Sequence, residues 1–205
     1  MRAFVFFFLF LLAGSKVFSQ TDSLLSSLQA DTASQPLLPA KMLPSQRFFW
    51  GEHGLFRNAS HPLTSERREK ELRLRRKMLV AHQVLGFATL GGFIAQGIVG
   101  AQLYNNPTMQ IRATHHYIAS CINISYSLTA LMSLTSPPPL VNRDRGITSI
   151  RIHKWLAVVH MAGMIATNIL ASKIEDHPEL KPYHRAAAYT TFGAFTAAML
   201  VIKLK

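Results

Sequence analysis

The sequence predicts an all-α membrane protein, a transmembrane four-helix bundle with up-down-up-down topology. Of its 205 residues, 49% are hydrophobic, which is high for a soluble domain. These residues are bunched into four stretches of about 20 residues, and a helix of that length can cross the roughly 30 Å of bilayer hydrocarbon. Short loops join the stretches, and short loops make neighbouring helices antiparallel.

The first 19 residues have the organisation of a secretory signal peptide. Arg2 precedes an apolar stretch over residues 3–14, and Val17 and Ser19 suit a cleavage site after Ser19. The apolar stretch is too short for a membrane span. We therefore expect residues 1–19 to be absent from the mature protein.

Residues 20–63 are predicted as a mostly irregular segment that is flexible or lies on the membrane surface. They are rich in Ser, Thr, Gln and Pro and show no sustained periodicity. An aromatic strip over residues 48–56 interrupts this composition. Aromatic side chains prefer the membrane–water boundary, so we expect the strip to lie on the headgroups. The alternatives are a cap over a cofactor edge and a docking strip for a partner.

Residues 64–77 are predicted to form a basic helix that runs without a break into the first span. Thr64 and Ser65 can cap its start, and Glu66 suits its first turn. A dense block of cations follows: Arg67, Arg68, Lys70, Arg73, Arg75, Arg76 and Lys77. Such a block beside a span predicts contact with lipid headgroups. Nucleic acid is not an expected partner, because no nucleic-acid-binding motif or stacking platform accompanies the block.

Residues 78–205 are predicted as the four-helix membrane core. Its spans cover about 78–103, 112–134, 150–171 and 182–202. Asn-Asn-Pro at 105–107 ends the first span, three prolines at 137–139 end the second, and prolines at 178 and 182 precede the fourth. Cys121 is the single cysteine, so neither a disulfide nor covalent haem attachment is expected.

One histidine lies at or near the start of each span: His82, His116, His153 and His184. An ionisable ring is costly in a bilayer, so each is a functional-site candidate. Antiparallel order lets His82 meet His153 near one membrane face and His116 meet His184 near the other. Two neutral imidazoles from facing helices are what a six-coordinate haem iron requires. The four histidines therefore predict the metal ligands of two b-type haems.

Small residues support this haem-binding set. The residue one helical turn after each histidine shares its helix face, and a flat macrocycle needs that face clear. These four positions are all small: Gly86, Ser120, Ala157 and Ala188. Ordinary packing between membrane helices also selects small residues, which is the alternative explanation.

Two further histidines belong to the candidate site. His115 points about 100° away from His116, so one of the two can face the bundle core. We prefer His116 and leave His115 as a propionate or surface contact. His160 lies two turns beyond His153 and could replace it, contact a propionate or lie between the cofactors. Because the bulky Met164 follows His160 by one turn, we rank His160 below His153 as a haem ligand.

Residues 151–156, Arg-Ile-His-Lys-Trp-Leu, resemble the basic-X-His-basic-Trp-Leu signature of bacterial and DOMON-linked members of the cytochrome b561 family. Residues 82–86, His-Gln-Val-Leu-Gly, resemble the ligand helix that opens that core. The resemblance covers about residues 78–202 and implies a di-haem protein that passes electrons between two membrane faces. No DOMON domain or ascorbate motif is apparent. Quinol, a small redox protein or a metal chelate stay open as donor and acceptor, and so does a homodimer.

Two signals for orientation disagree. The signal peptide places residues 20–77, His82 and His153 outside the cytoplasm. The positive-inside rule predicts the reverse, because the side with the basic block also carries more of the remaining cations. That side adds Arg143, Arg145, Arg151, Lys203 and Lys205, whereas the other side carries Arg112, Lys173 and Lys181. We favour the signal peptide, since it is read first, and expect a multi-pass protein of the cell inner membrane.

The function that these patterns favour is transmembrane electron transfer, by an electron carrier rather than an enzyme. One alternative is a non-haem membrane adaptor or assembly subunit that uses the aromatic strip and the basic helix. Another is a ferric or quinone reductase, which would need an open acceptor site beside a haem.

Overall fold

The computed structural model describes residues 36–57, 61–140 and 148–203. These ranges contain five α-helices and a short 3-10 helix, and no strand occurs in them. The α-helices are α1 (Pro44–Trp50), α2 (Ser65–Asn105), α3 (Met109–Leu134), α4 (Ser149–Ala171) and α5 (Lys181–Lys203), with the 3-10 helix Pro178–Leu180 before α5. The predicted signal peptide falls outside the described residues.

Helices α2 to α5 coincide with the four predicted spans. All four are long and apolar enough to cross a membrane. Their outer faces carry large apolar side chains such as Val84, Ile124 and Ile165, which are more than half exposed. In a soluble protein such surfaces would be unusual, whereas lipid covers them at no cost. The all-α fold with four membrane-length helices is confirmed.

Threonine side chains fix the starts of three of these helices. Thr64, Thr108 and Thr148 each precede a helix, and each hydroxyl oxygen accepts the backbone N–H three residues later. Glu66 lies in the first turn of α2, where a negative charge is favourable. Helix α2 then continues to Asn105, so the basic helix runs into the first span without a break, as predicted.

The four long helices form two tightly packed hairpins, α2 with α3 and α4 with α5. In each hairpin, rising residue numbers on one helix meet falling numbers on the other, so the two helices run in opposite directions. Glycines allow the close approach: a Cβ at Gly92 would lie 2.9 Å from Ile122, and one at Gly163 would overlap the Thr191 hydroxyl. The contacts that define the register are His82–Thr129, Thr89–Ser125 and Gln96–His115 in the first hairpin, and His153–Ala198 and His184–Thr167 in the second.

The hairpins meet at mid-height through a cluster of aromatic rings. All four long helices contribute to it: Phe93 from α2, Tyr126 from α3, His160 from α4, and Phe192 and Phe195 from α5. The ring centroids of Phe93 and Phe195 are 5.2 Å apart, and those of His160 and Phe195 are 5.1 Å apart. This mid-height core separates the two ends of the bundle, where the remaining histidines lie.

Residues 36–57, which we call the cap, pack against the loop that follows α3. Ser45 Oγ donates to the carbonyl of Leu134 at 2.7 Å, and Trp50 Nε1 donates to that of Thr135 at 2.8 Å. Gln46 Nε2 donates to the carbonyl of Ser136 at 3.3 Å. The prolines at 137–139 have no backbone N–H to donate. The carbonyls that precede them are therefore left to accept hydrogen bonds from these side chains. The segment predicted as irregular thus contains a regular helix and is anchored to the bundle.

Candidate functional site

The structure brings His82 and His153 together at the end of the bundle that carries the cap, which we call the capped end. The two residues come from different hairpins, α2 and α4. Their ring centroids are 6.2 Å apart and their planes are 82° apart. The structure therefore places these two predicted ligands beside each other.

Backbone carbonyls set the protonation of both rings. His82 Nδ1 lies 2.8 Å from the carbonyl oxygen of Thr129, and His153 Nδ1 lies 2.9 Å from that of Ala198. A carbonyl oxygen can only accept a hydrogen bond, so Nδ1 carries the proton in each neutral ring and Nε2 keeps a lone pair. Within the described residues, no group bonds to either Nε2. Both rings thus keep an unprotonated nitrogen, the form of imidazole that can coordinate a metal.

The spacing of this pair would allow both rings to bind one metal. Two imidazoles on opposite sides of a metal, with metal–nitrogen bonds of about 2 Å, would have centroids about 6 Å apart. Metal-binding histidines commonly donate their other N–H to a backbone carbonyl, as both rings do here. In the described part of the chain, no group of three or more His, Cys, Asp or Glu could hold a bare ion. Two histidines suffice for haem, because the porphyrin supplies the other ligands.

At the opposite end, which we call the open end, His184 repeats the same arrangement. Its Nδ1 lies 3.0 Å from the carbonyl oxygen of Thr167, on the neighbouring helix of its hairpin. By the argument used above, the neutral ring carries its proton on Nδ1 and leaves Nε2 available. Three of the four predicted ligands therefore share one hydrogen-bonding pattern.

On α3, the structure turns His115 toward the bundle and leaves His116 exposed, which is the reverse of the orientation preferred from the sequence. His115 Nε2 contacts Gln96 Nε2 of α2 at 3.1 Å. Ser120, one turn after His116, is exposed as well. The residue one turn after His115 is the half-buried Ala119, so a small residue follows this histidine too.

Among the described residues, the open end contains two buried polar atoms without a hydrogen-bond partner. Because an amide nitrogen donates, Gln96 Nε2 donates to His115 Nε2, and the remaining ring nitrogen and amide oxygen are left over. His115 Nδ1 and Gln96 Oε1 are both buried without a hydrogen bond. Buried polar atoms are rarely unpaired in proteins, so a bound group is one explanation for such a pair. Gly100 gives the His115 ring its room, since a Cβ there would lie 3.2 Å from Cε1.

His160 occupies the middle of the bundle rather than either end. Its Nδ1 lies 2.7 Å from the hydroxyl oxygen of Tyr126, and the residue is 9% exposed. Of the roles left open from the sequence, this position favours a place between the two ends over a replacement of His153. Met164, one turn later, is buried in the same core.

Three of the four small residues lie on inward-facing positions. Gly86 is buried against Thr129, and Ala157 and Ala188 are half-buried. Gln96 and Tyr126 are the site residues that the sequence analysis missed. Polar side chains are costly in a span, so a glutamine and a tyrosine deep in predicted spans carried a usable signal.

Comparisons with protein-family models, curated proteins and solved structures find no match to this chain.

Proposed function

We propose that the protein transfers electrons across a membrane through two b-type haems, one at each end of the bundle. The observation that carries this proposal is the His82–His153 pair, whose centroids are 6.2 Å apart. Each ring has Nδ1 engaged by a backbone carbonyl and Nε2 available. When bound, each haem would supply one-electron chemistry by cycling its iron between the ferric and ferrous states.

At the capped end, His82 and His153 would hold the haem iron. The hydrogen bonds from their Nδ1–H groups hold both rings in one orientation and make Nε2 a stronger ligand. Their acceptors, the carbonyls of Thr129 and Ala198, belong to helices that pack tightly within each hairpin. The chain would therefore bring a largely preformed ligand pair to the metal.

At the open end, we propose His184 and His115 as the ligand pair. His184 has the same Nδ1 hydrogen bond as the capped pair. His115 is the α3 histidine that faces the bundle. To bind iron through its unpaired Nδ1, its neutral ring would carry the proton on Nε2, and the Gln96 amide would be turned so that Oε1 accepts that proton. His116 stays the alternative, with its role as a ligand to be decided by mutation.

Between the two ends, the mid-height core would keep water out of the path. Phe93, Tyr126, His160 and Phe195 fill this region, and Phe195 is 4% exposed. A water-free interior lowers the local dielectric and limits solvent rearrangement around a moving charge. The core residues thus favour transfer from one end to the other over loss of the electron to solvent.

The resemblance of residues 151–156 to the cytochrome b561 signature supports this proposal, since it is centred on His153. We propose the cell inner membrane as the location. Quinol, a small redox protein or a metal chelate would serve as donor and acceptor. The competing function is a membrane adaptor that binds no haem.

The decisive experiment is a pyridine haemochrome assay on the full chain, expressed with ample haem and purified in detergent. We expect about two haems b per chain. His82→Ala and His184→Ala should each remove one haem, and the double variant should remove both. His177→Ala is the matched control, because His177 is exposed and pairs with Glu179 in a loop. A colourless wild-type protein would favour the adaptor, and single variants that keep both haems would overturn the ligand assignment.

A further inference from the structure

A buried ion cluster joins the cap to the basic part of α2. Arg57 and Arg68 both bond the carboxylate of Glu71, with Arg57 Nη2 at 3.0 Å and Arg68 Nη1 at 2.6 Å. The side-chain exposures of Arg57, Arg68 and Glu71 are 6%, 0% and 8%. Burial lowers the pKa of Arg68 and the hydrogen bond to Glu71 opposes this, but a guanidinium keeps its proton in proteins. The cluster therefore holds two positive charges and one negative charge away from water.

The two arginines differ in how their remaining N–H groups are satisfied. Arg68 Nε donates to the carbonyl of Leu37 at 2.8 Å, and its Nη2 donates to that of Pro138 at 3.1 Å. Arg57 Nε is buried and has no hydrogen-bond partner among the described residues. An excess buried charge and an unpaired buried donor are both unfavourable. An anion beside Arg57 would relieve both.

Arg57 lines a cleft of about 260 Å³ between the cap and α2. Trp50, Phe56 and Leu74 form apolar walls of this cleft. Lys70, which pairs with Glu66 at 2.6 Å, contributes a second cation, and the Glu71 carboxylate held by Arg57 and Arg68 also lines the cleft. Phe56 and Leu74 are 46% and 40% exposed, so part of this apolar surface has no protein cover. The cleft thus combines cationic donors with an uncovered apolar wall, which matches a ligand that is anionic at one end and apolar at the other.

We propose that this cleft binds the phosphate group of an anionic phospholipid. Arg57 Nε and Lys70 would donate to the phosphate, and the start of an acyl chain would cover Leu74 and Phe56. Leu74 lies about one helical turn, roughly 5 Å, before the first apolar stretch, which is the depth of the headgroup layer. A soluble anion would satisfy the cations but leave the apolar wall uncovered. This inference is independent of the proposed haem function.

The test compares two lysines on α2 that differ in their relation to the cleft. Lys70 lines it, whereas Lys77 is exposed, closer to the membrane and absent from its lining. The full chain in a non-ionic detergent is titrated with phosphatidylglycerol, and bound lipid is counted by native mass spectrometry. One charge-assisted hydrogen bond predicts that Lys70→Gln weakens binding about tenfold. Lys77→Gln should bind as the wild type does.

Equal weakening by Lys70→Gln and Lys77→Gln would overturn the proposal, because it would indicate general attraction of cations to an anionic surface. Binding of phosphatidylcholine as tight as that of phosphatidylglycerol would also overturn it. Glycerol phosphate tests whether the anion comes from a lipid or from solution. If it displaces phosphatidylglycerol when present at the same concentration as the lipid, the ligand is a soluble anion and the proposal fails. Arg57→Lys keeps the charge but lacks Nε, and we expect it to lose the preference for phosphatidylglycerol.

Discussion

The two ends of the bundle present their histidines in different ways. At the capped end, the rings of His82 and His153 lie 6.2 Å apart, and both Nδ1 atoms are held by backbone carbonyls. At the open end, His184 is held in that way, whereas His115 is tied to Gln96 and keeps an unpaired Nδ1. Backbone carbonyls thus orient both proposed ligands at the capped end, but only one of the two proposed ligands at the open end. A preformed site loses less free energy to ordering on binding, so the proposed haem site at the capped end should bind haem more tightly than the one at the open end.

The largest expected effect in this comparison concerns the two neighbouring histidines of the open end. His115→Ala removes the ring that faces the bundle and should lower the haem content from about two per chain to about one. His116→Ala changes an exposed residue and should leave the content at two. The pyridine haemochrome assay measures both variants on the same scale. The opposite result, with haem lost in His116→Ala alone, would restore the assignment preferred from the sequence.

A second prediction compares a buried and an exposed carboxylate, one at each end. Glu71→Gln leaves Arg57 and Arg68 buried without a countercharge, which should cost about 3–5 kcal/mol of the free energy of unfolding. Glu175 pairs with Arg112 at 3.5 Å and its side chain is 75% exposed, so Glu175→Gln should cost less than about 1 kcal/mol. The free energy of unfolding of each variant is measured by denaturant titration in a phosphate-free detergent solution. If Glu71→Gln and Glu175→Gln lose similar amounts of unfolding free energy, the buried cluster does not hold the cap in place.

The sequence was sufficient for the long helices because their signals are local. Apolar length marks each span, Thr64 marks the start of α2, and the Asn-Asn-Pro sequence at 105–107 marks its end. The meeting of His82 with His153 also followed from local features, since short loops require antiparallel neighbours. These parts of the fold depend on composition and order along the chain alone.

Other features depend on contacts that no local pattern reveals. Which of His115 and His116 faces the bundle is set by helix rotation, and a span that is apolar on every side gives little sign of its inner face. The cap was predicted as irregular because its donors bind carbonyls of the loop at 134–136, about 90 residues away. The unpaired donor of Arg57 likewise arises from a tertiary cluster. The sequence showed the cations of this region but not their shared carboxylate.

The smallest expected effect tests whether the open end depends on the space beside His115. A Cβ at Gly100 would lie 3.2 Å from the ring, whereas one at Gly97 would meet nothing within 4 Å. Both alanine variants gain about 0.5–1 kcal/mol of helix propensity, so any difference between them comes from the ring.

In a His82→Ala background, only the haem of the open end would remain. Displacing the ring from its preferred rotamer by a few tenths of an ångström should then release that haem about two- to fivefold faster in Gly100→Ala than in Gly97→Ala. Transfer of haem to excess apomyoglobin gives the rates. Equal rates in the two variants would mean that the space at Gly100 does not affect haem retention, and would weaken the assignment of His115 as a ligand. A new methyl group that pushes a ligand ring should change the bond of that ring to the iron.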